Sequence, residues 1–89
     1  HDEELRFKAF ARRNKLLGLW AADLLGKSGS EADAYAKEVV LADFEEAGDH
    51  DVIRKVLKDL EGKSITEQQI RAKATELLAQ AVKQIETGA

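Results

Sequence analysis

The stretch that decides the fold is FKAFARRNKLLGLWAADLLGKSG, residues Phe7–Gly29. Its apolar residues recur at the i, i+3, i+4, i+7 spacing of a helix that buries one face. They are Leu17, Trp20, Ala21 and Leu24. The stripe then ends at Gly26, which suits the left-handed position after a helix. We therefore predict a first helix over residues 2–25. Gly18 lies inside it, at a cost of about 1 kcal/mol relative to alanine, and we interpret it as a point of close helix packing.

Three further helices are predicted downstream, each with its own apolar stripe and end signals. They span residues 31–45, 50–61 and 67–86. The second is predicted to begin after Ser30 as its cap, with Phe44 on its apolar side, and the third to stop at Gly62. The fourth has the clearest start, because Thr66 followed by Gln69 is the pattern of a capping box.

The chain is predicted to be all-α, a compact four-helix bundle with a long first helix in a single domain of residues 1–89. It has no cysteine, so disulfides cannot support the core. The first helix would be about 36 Å long and would exceed the third by about twofold. Leu5, Phe7 and Phe10 therefore have two interpretations: they lie on an overhang that needs a partner, or they reach the edge of the bundle.

Charge and hydropathy exclude several classes of partner. The net charge is −3, and residues 28–51 hold eight acids against one base. Such an acidic middle repels phosphate backbones, so we expect no nucleic-acid partner. No apolar run approaches the roughly 18 residues of a membrane span, so no direct membrane insertion is expected. No secretory signal is apparent, which makes the cytoplasm the expected location, and the protein is expected to be a monomer when it is not bound.

Catalytic and metal-binding patterns are incomplete in this sequence. Gly26-Lys27-Ser28 and Gly62-Lys63-Ser64 copy the end of a phosphate-binding loop, but each follows a helix rather than a strand. His1 and His50 are the only imidazoles and lack the spacing of a zinc site. The serines have no nearby His and Asp pattern. We predict a protein that is not an enzyme and holds no metal.

A basic cluster at Arg12, Arg13 and Lys15 keeps three interpretations open. It is the solvated side of the first helix, with arginine stems covering apolar neighbours. Alternatively, it docks an acidic protein surface, or it binds the phosphates of ATP or ADP weakly. No other cofactor is expected. With Leu5, Phe7 and Phe10, these three residues form the predicted partner-binding set.

Three stretches carry a resemblance to a known family. They are the opening stretch, YAKEVVLADFEEAGDHDVIRKVLKDLEGK at Tyr35–Lys63, and IRAKATELLAQA at Ile70–Ala81. Together they resemble the zeta subunit of alphaproteobacterial ATP synthases, long known only as a domain of unknown function. The resemblance implies a small helical protein whose N-terminal segment enters the catalytic head of ATP synthase and blocks ATP hydrolysis, at the cytoplasmic face of the inner membrane.

The chain begins at His1 rather than at a methionine. We therefore expect most of the inhibitory stretch that the resemblance implies to precede it. On this expectation the chain is mainly the carrier bundle, and alone it inhibits poorly. Two alternatives are a small module that binds a nucleotide weakly and an interaction scaffold unrelated to ATP synthase.

Overall fold

Four α-helices make up the fold in the computed structural model, which describes residues 2–42 and 50–88. They are α1 (Asp2–Leu24), α2 (Gly29–Ala42), α3 (His50–Asp59) and α4 (Glu67–Thr87). No strand occurs in the described ranges. The predicted all-α fold with a long first helix is therefore confirmed.

The core lies where the apolar stripes of the four helices meet. α1 packs along both α2 and α4, while the short α3 packs mainly across α2 and α4. All four helices contribute to one buried cluster, as the period of the sequence predicts. Its members are Leu17, Ala21, Ala22, Tyr35, Val39, Val52, Ile53, Val56, Leu60, Ile70, Ala74 and Leu77.

Local chemistry sets two of the helix ends as predicted. After α1, Gly26 has a φ of 80°, and the amide of Lys27 donates to the carbonyl of Ala22 at 2.9 Å. This six-residue closure is the Schellman motif, which only a left-handed residue can complete at low cost. At the start of α4, the side chain of Thr66 accepts from the amide of Gln69 at 3.2 Å. The amide of Thr66 donates to Gln69 Oε1 at 2.8 Å, which confirms the capping box.

The start of α2 differs from the prediction, and Ser30 is not its cap. The helix begins at Gly29, whose φ of 57° lies in the left-handed region that favours glycine. The amide of Glu31 already donates to the carbonyl of Ser28 at 3.2 Å, so Ser30 lies inside the first turn. The predicted end of this helix near residue 45, together with Phe44, lies outside the described residues.

α1 and α2 approach each other closely at Gly18. A Cβ atom added to Gly18 would lie 2.6 Å from the Cα atom of Ala36 and 3.2 Å from Val39 Cγ2. Carbon atoms at van der Waals contact are about 3.5–4.0 Å apart, so only glycine fits this crossing. The predicted role of Gly18 in close helix packing is confirmed.

Among residues 2–42 and 50–88, every helix falls short of the combined length and apolarity that crossing a bilayer requires.

Candidate functional site

The first turns of α1 carry exposed apolar side chains on a formed helix. Phe7 is 61% exposed and Leu5 is 37% exposed, whereas Ala9 is buried. Arg12 Nη1 donates to Gln84 Oε1 at 3.3 Å, which ties this part of α1 to the last turns of α4.

The three apolar residues of the predicted overhang all line surfaces that they share with α4. Phe10 is half-buried and lines a shallow surface with Leu78 of α4. It reaches the edge of the bundle. Leu5 lines the same surface as Phe10, and Phe7 lies beside Ile85 of α4. Leu5 and Phe7 keep exposed area, and they form the apolar part of the candidate partner-binding surface, which we call the α1 tip.

Arg13 lies in the interior, so the basic cluster is not one continuous surface. Its side chain is only 3% exposed, and its Nε and Nη2 atoms donate to Asn14 Oδ1 at 2.9 and 2.7 Å. Its guanidinium also lies 5.0 Å from the centre of the Phe10 ring, a cation–π distance. The assignment of Arg13 to a surface that docks a partner or a nucleotide is therefore not supported by its position.

The spacing of α1 explains the burial of Arg13. It comes four residues after Ala9 and four before Leu17, both of which are buried, so all three share one face. Its neighbour Asn14 is fully buried, and Asn14 Nδ2 has no hydrogen-bond partner among the described residues. The continuous i, i+4 row was the signal in the sequence that could have indicated a buried arginine.

Three of the basic residues of α1 line a groove of about 580 Å³ between α1, α2 and α4. Lys8, Arg12 and Lys15 lie along its α1 side, and Val40 and Ile85 provide apolar surface from the other helices. A second groove of about 390 Å³ shares Lys15 and Val40 with it and adds Lys37 of α2. The two form one continuous surface, which we call the basic groove.

A polar network joins α2 to α3 on another face of the bundle. The hydroxyl of the buried Tyr35 donates to Asp59 Oδ2 at 2.8 Å. Lys55 Nζ lies 3.1 Å from the same carboxylate oxygen, 3.4 Å from Glu38 Oε1 and 5.2 Å from the centre of the Tyr35 ring. These contacts hold the end of α3 against the middle of α2.

The same network changes the titration of its members. Burial, followed by the hydrogen bond to Asp59, raises the pKa of Tyr35 well above its ordinary value. Burial alone would lower the pKa of Lys55, but its hydrogen bonds and charge interactions with Asp59 and Glu38 raise it. The polar groups of this network bond to one another. We therefore interpret the network as a contact that stabilises the fold and not as a binding or catalytic site.

The described residues contain no group of three His, Cys, Asp or Glu side chains that could hold a metal ion. The two Gly-Lys-Ser sequences lie in the turns that follow α1 and α3, with Gly26 and Gly62 both at positive φ. This geometry ends a helix and does not surround a phosphate.

Comparison with known proteins identifies a family for this chain. The sequence model described as ATPase inhibitor subunit zeta matches residues 1–84. A solved structure described as "Solution NMR structure of the protein" is 60% identical in sequence and superimposes with a TM-score of 0.86. That similarity covers 96% of this chain and 99% of the other. No curated protein matches the chain.

Proposed function

Because the chain belongs to the ATPase inhibitor subunit zeta family, we propose that it binds the catalytic head of an ATP synthase and blocks ATP hydrolysis. The single observation that carries this function is the family match over residues 1–84. The role of such a subunit is regulatory. When bound, the protein would lie at the cytoplasmic face of the inner membrane.

The α1 tip is the part of the described structure best suited to enter an interface. Its apolar side chains, Leu5 and Phe7, are exposed at the start of α1, whereas the whole molecule measures 22 Å even along its shortest axis. Interface energy is concentrated in a few such anchors, and large aromatic side chains are frequent among them. The bundle then acts as the carrier that holds the tip in place.

Weak binding of ATP or ADP is a secondary proposal. Arg12 and Lys15 line the basic groove and could contact a phosphate, but the third predicted ligand, Arg13, is buried. Two basic side chains without a phosphate-binding loop provide little affinity. Nucleotide binding would therefore accompany the inhibitory role and would not replace it.

The experiment compares the full protein with two matched variants in an assay of ATP hydrolysis by the isolated catalytic head. Phe7→Ser removes the anchor of the α1 tip. Leu41→Ser removes a side chain of similar exposure, 56% against 61%, from a different helix. We expect Phe7→Ser to raise the half-inhibitory concentration about tenfold or more, which corresponds to at least about 1.4 kcal/mol. Leu41→Ser should stay within about twofold.

Two outcomes would contradict the proposal in different ways. If the full protein neither binds the head nor slows hydrolysis, the inhibitory function is wrong. If both variants inhibit as well as the unmodified protein, inhibition does not depend on the α1 tip. Circular dichroism at 222 nm controls for folding, because both substitutions are at exposed positions.

A further inference from the structure

The basic groove contains two lysines whose charges the described structure leaves unneutralised. Lys15 of α1 and Lys37 of α2 lie on its two sides, and both are exposed. Within residues 3–42 and 51–88, no carboxylate lies within salt-bridge distance of either lysine. Asp33 is the only acid among the described residues that line the groove.

Other basic residues of the described helices form ion pairs along their own helix, among them Lys8 at the α1-tip end of the groove. Lys8 pairs with Glu4 at 3.3 Å, Lys73 with Glu76 at 2.8 Å, and Arg71 with Glu67 at 3.0 Å. Those pairs are three or four residues apart on one helix and neutralise their own surface. The described lining of the groove holds four basic side chains, Lys8, Arg12, Lys15 and Lys37, against one acid, Asp33, which stands four residues before Lys37 on α2. The groove is therefore positive among its described residues, on a chain whose net charge is −3.

The surface between the two lysines is apolar. Ala36 and Val40 of α2 lie in the groove, and Ala11 of α1 continues the apolar surface toward the α1 tip. Two of these side chains are alanines and Val40 is half-buried, so the floor of the groove is shallow. The groove lies beside the close crossing of α1 and α2 at Gly18 and Ala36. A partner side chain can therefore rest on this apolar floor, with its neighbours close to the lysine ammonium groups.

We propose that the groove at Lys15 and Lys37 docks an acidic amphipathic helix on the catalytic head. Such a helix offers apolar side chains on one face and carboxylates at its borders, which match the apolar floor and the basic rim. This inference rests on the proposed function: the groove would hold the bundle on the catalytic head, while the α1 tip makes a separate contact. It also assigns a role to Lys37, which the sequence alone did not indicate.

Other occupants fit the groove less well. A phosphate site needs donors that converge on one point, such as backbone amides at a helix start, whereas these lysines stand on opposite sides of an apolar floor. A second copy of the chain that docked through the same groove would bring like charges together, which is unfavourable at an interface.

The test measures binding of the full protein to the isolated catalytic head. The test variant carries Lys15→Glu and Lys37→Glu. The control variant carries Lys27→Glu and Lys63→Glu, which makes the same change in net charge in the turns after α1 and α3. At about 0.05 M salt we expect the test variant to bind about tenfold or more weakly, mostly through slower association, and this difference should shrink at about 0.5 M salt. The control should change by less than about threefold.

The outcomes separate this inference from the proposed function. If the unmodified protein does not bind the head, the proposed function fails. If it binds and inhibits, but the test variant binds as tightly as the control, the groove is not the docking surface and the inference alone is overturned. At saturating concentration the test variant should still reach full inhibition, since its α1 tip is intact.

The chemistry of the partner is tested by a photo-crosslinking residue in place of Lys37. We expect it to capture one segment of the head that carries several Asp or Glu residues, identified by mass spectrometry. Capture of a basic or uncharged segment would overturn the proposal. So would a self-association of the protein that the Lys15 and Lys37 reversals abolish.

Discussion

Replacing Gly18 with alanine sets helix propensity against a steric contact, and the structure predicts which effect is larger. In an exposed helix the change would stabilise by about 1 kcal/mol. Here the new Cβ atom would lie 2.6 Å from the Cα atom of Ala36. Since ordinary carbon contacts are about 3.5–4.0 Å, α1 and α2 must separate by about 1 Å.

That separation disturbs fully buried neighbours on both helices, Leu17 and Val39. Overpacking of a core costs about 1–3 kcal/mol, and the cost here should be near the upper end, because a backbone atom cannot rotate away. After the gain in propensity is subtracted, Gly18→Ala should destabilise by about 1–2 kcal/mol. The corresponding decrease in the unfolding temperature is about 4–16 °C for a domain of this size.

The assay is urea denaturation followed by the fluorescence of Trp20, the single tryptophan. Ala34→Gly, at an exposed position of α2, measures the propensity term in the same bundle. Adding Ala36→Gly to Gly18→Ala removes the Cβ atom of residue 36 but leaves its Cα atom, so it should restore little stability. If Gly18→Ala instead stabilises by about 1 kcal/mol, the helices can move apart easily and the packing argument is refuted.

Four further predictions follow from the fold and the groove. Leu77→Ala should destabilise by about 2–4 kcal/mol in denaturant titration, since Leu77 is buried in the core, and a loss below about 0.5 kcal/mol would contradict this packing. Thr66→Ala should cost about 1 kcal/mol through the lost cap, whereas unchanged stability would mean that the capping box contributes nothing. The folded-state pKa of Tyr35 is raised, so as pH rises this tyrosine ionises first in the unfolded chain. The stability that the buried, protonated Tyr35 contributes should therefore be fully present below about pH 10 and decrease above it. Tyr35→Phe should make the decrease in unfolding free energy between about pH 9 and 11 smaller, and an identical decrease would refute this assignment. ATP should bind with a Kd on the order of 0.1–1 mM and shift the NMR signals of Arg12 and Lys15, and micromolar affinity or shifts centred elsewhere would show that the site is wrong.

Helix ends were predictable where one residue alone could satisfy the local backbone. Gly26 is such a position, because only a left-handed residue closes the turn after α1 at low cost. Before α4, Ser64 with Glu67 also has capping-box spacing, but Ser64 lies in the preceding turn at a φ of 61° and Thr66 forms the cap. At the start of α2, Ser28, Gly29 and Ser30 all permit a helix to begin. The tertiary packing of α2 against α1 then decides among them, and a single sequence does not contain that information.

The candidate site was only partly predictable, since its residues lie on different helices. Leu5 and Phe7 could be identified because apolar side chains among charges stand out in a sequence. Arg13 was assigned to the surface because charged residues are rarely buried without partners, yet the row from Ala9 to Leu17 fixes its direction. Lys37 was not identified at all, because its proximity to Lys15 depends on which helices are neighbours.

The bracing of α1 by α4 has a consequence for the kinetics of recognition. A docking peptide that folds only on contact loses about 1–2 kcal/mol of backbone entropy for every residue it orders. From Leu5 to Arg12 the backbone is already helical, and its last turn is tied to Gln84. A partner that engages this face meets a preorganised helix, so most of the contact energy is retained as affinity. Its association should then follow a single concentration-dependent phase, without a slower folding step behind it.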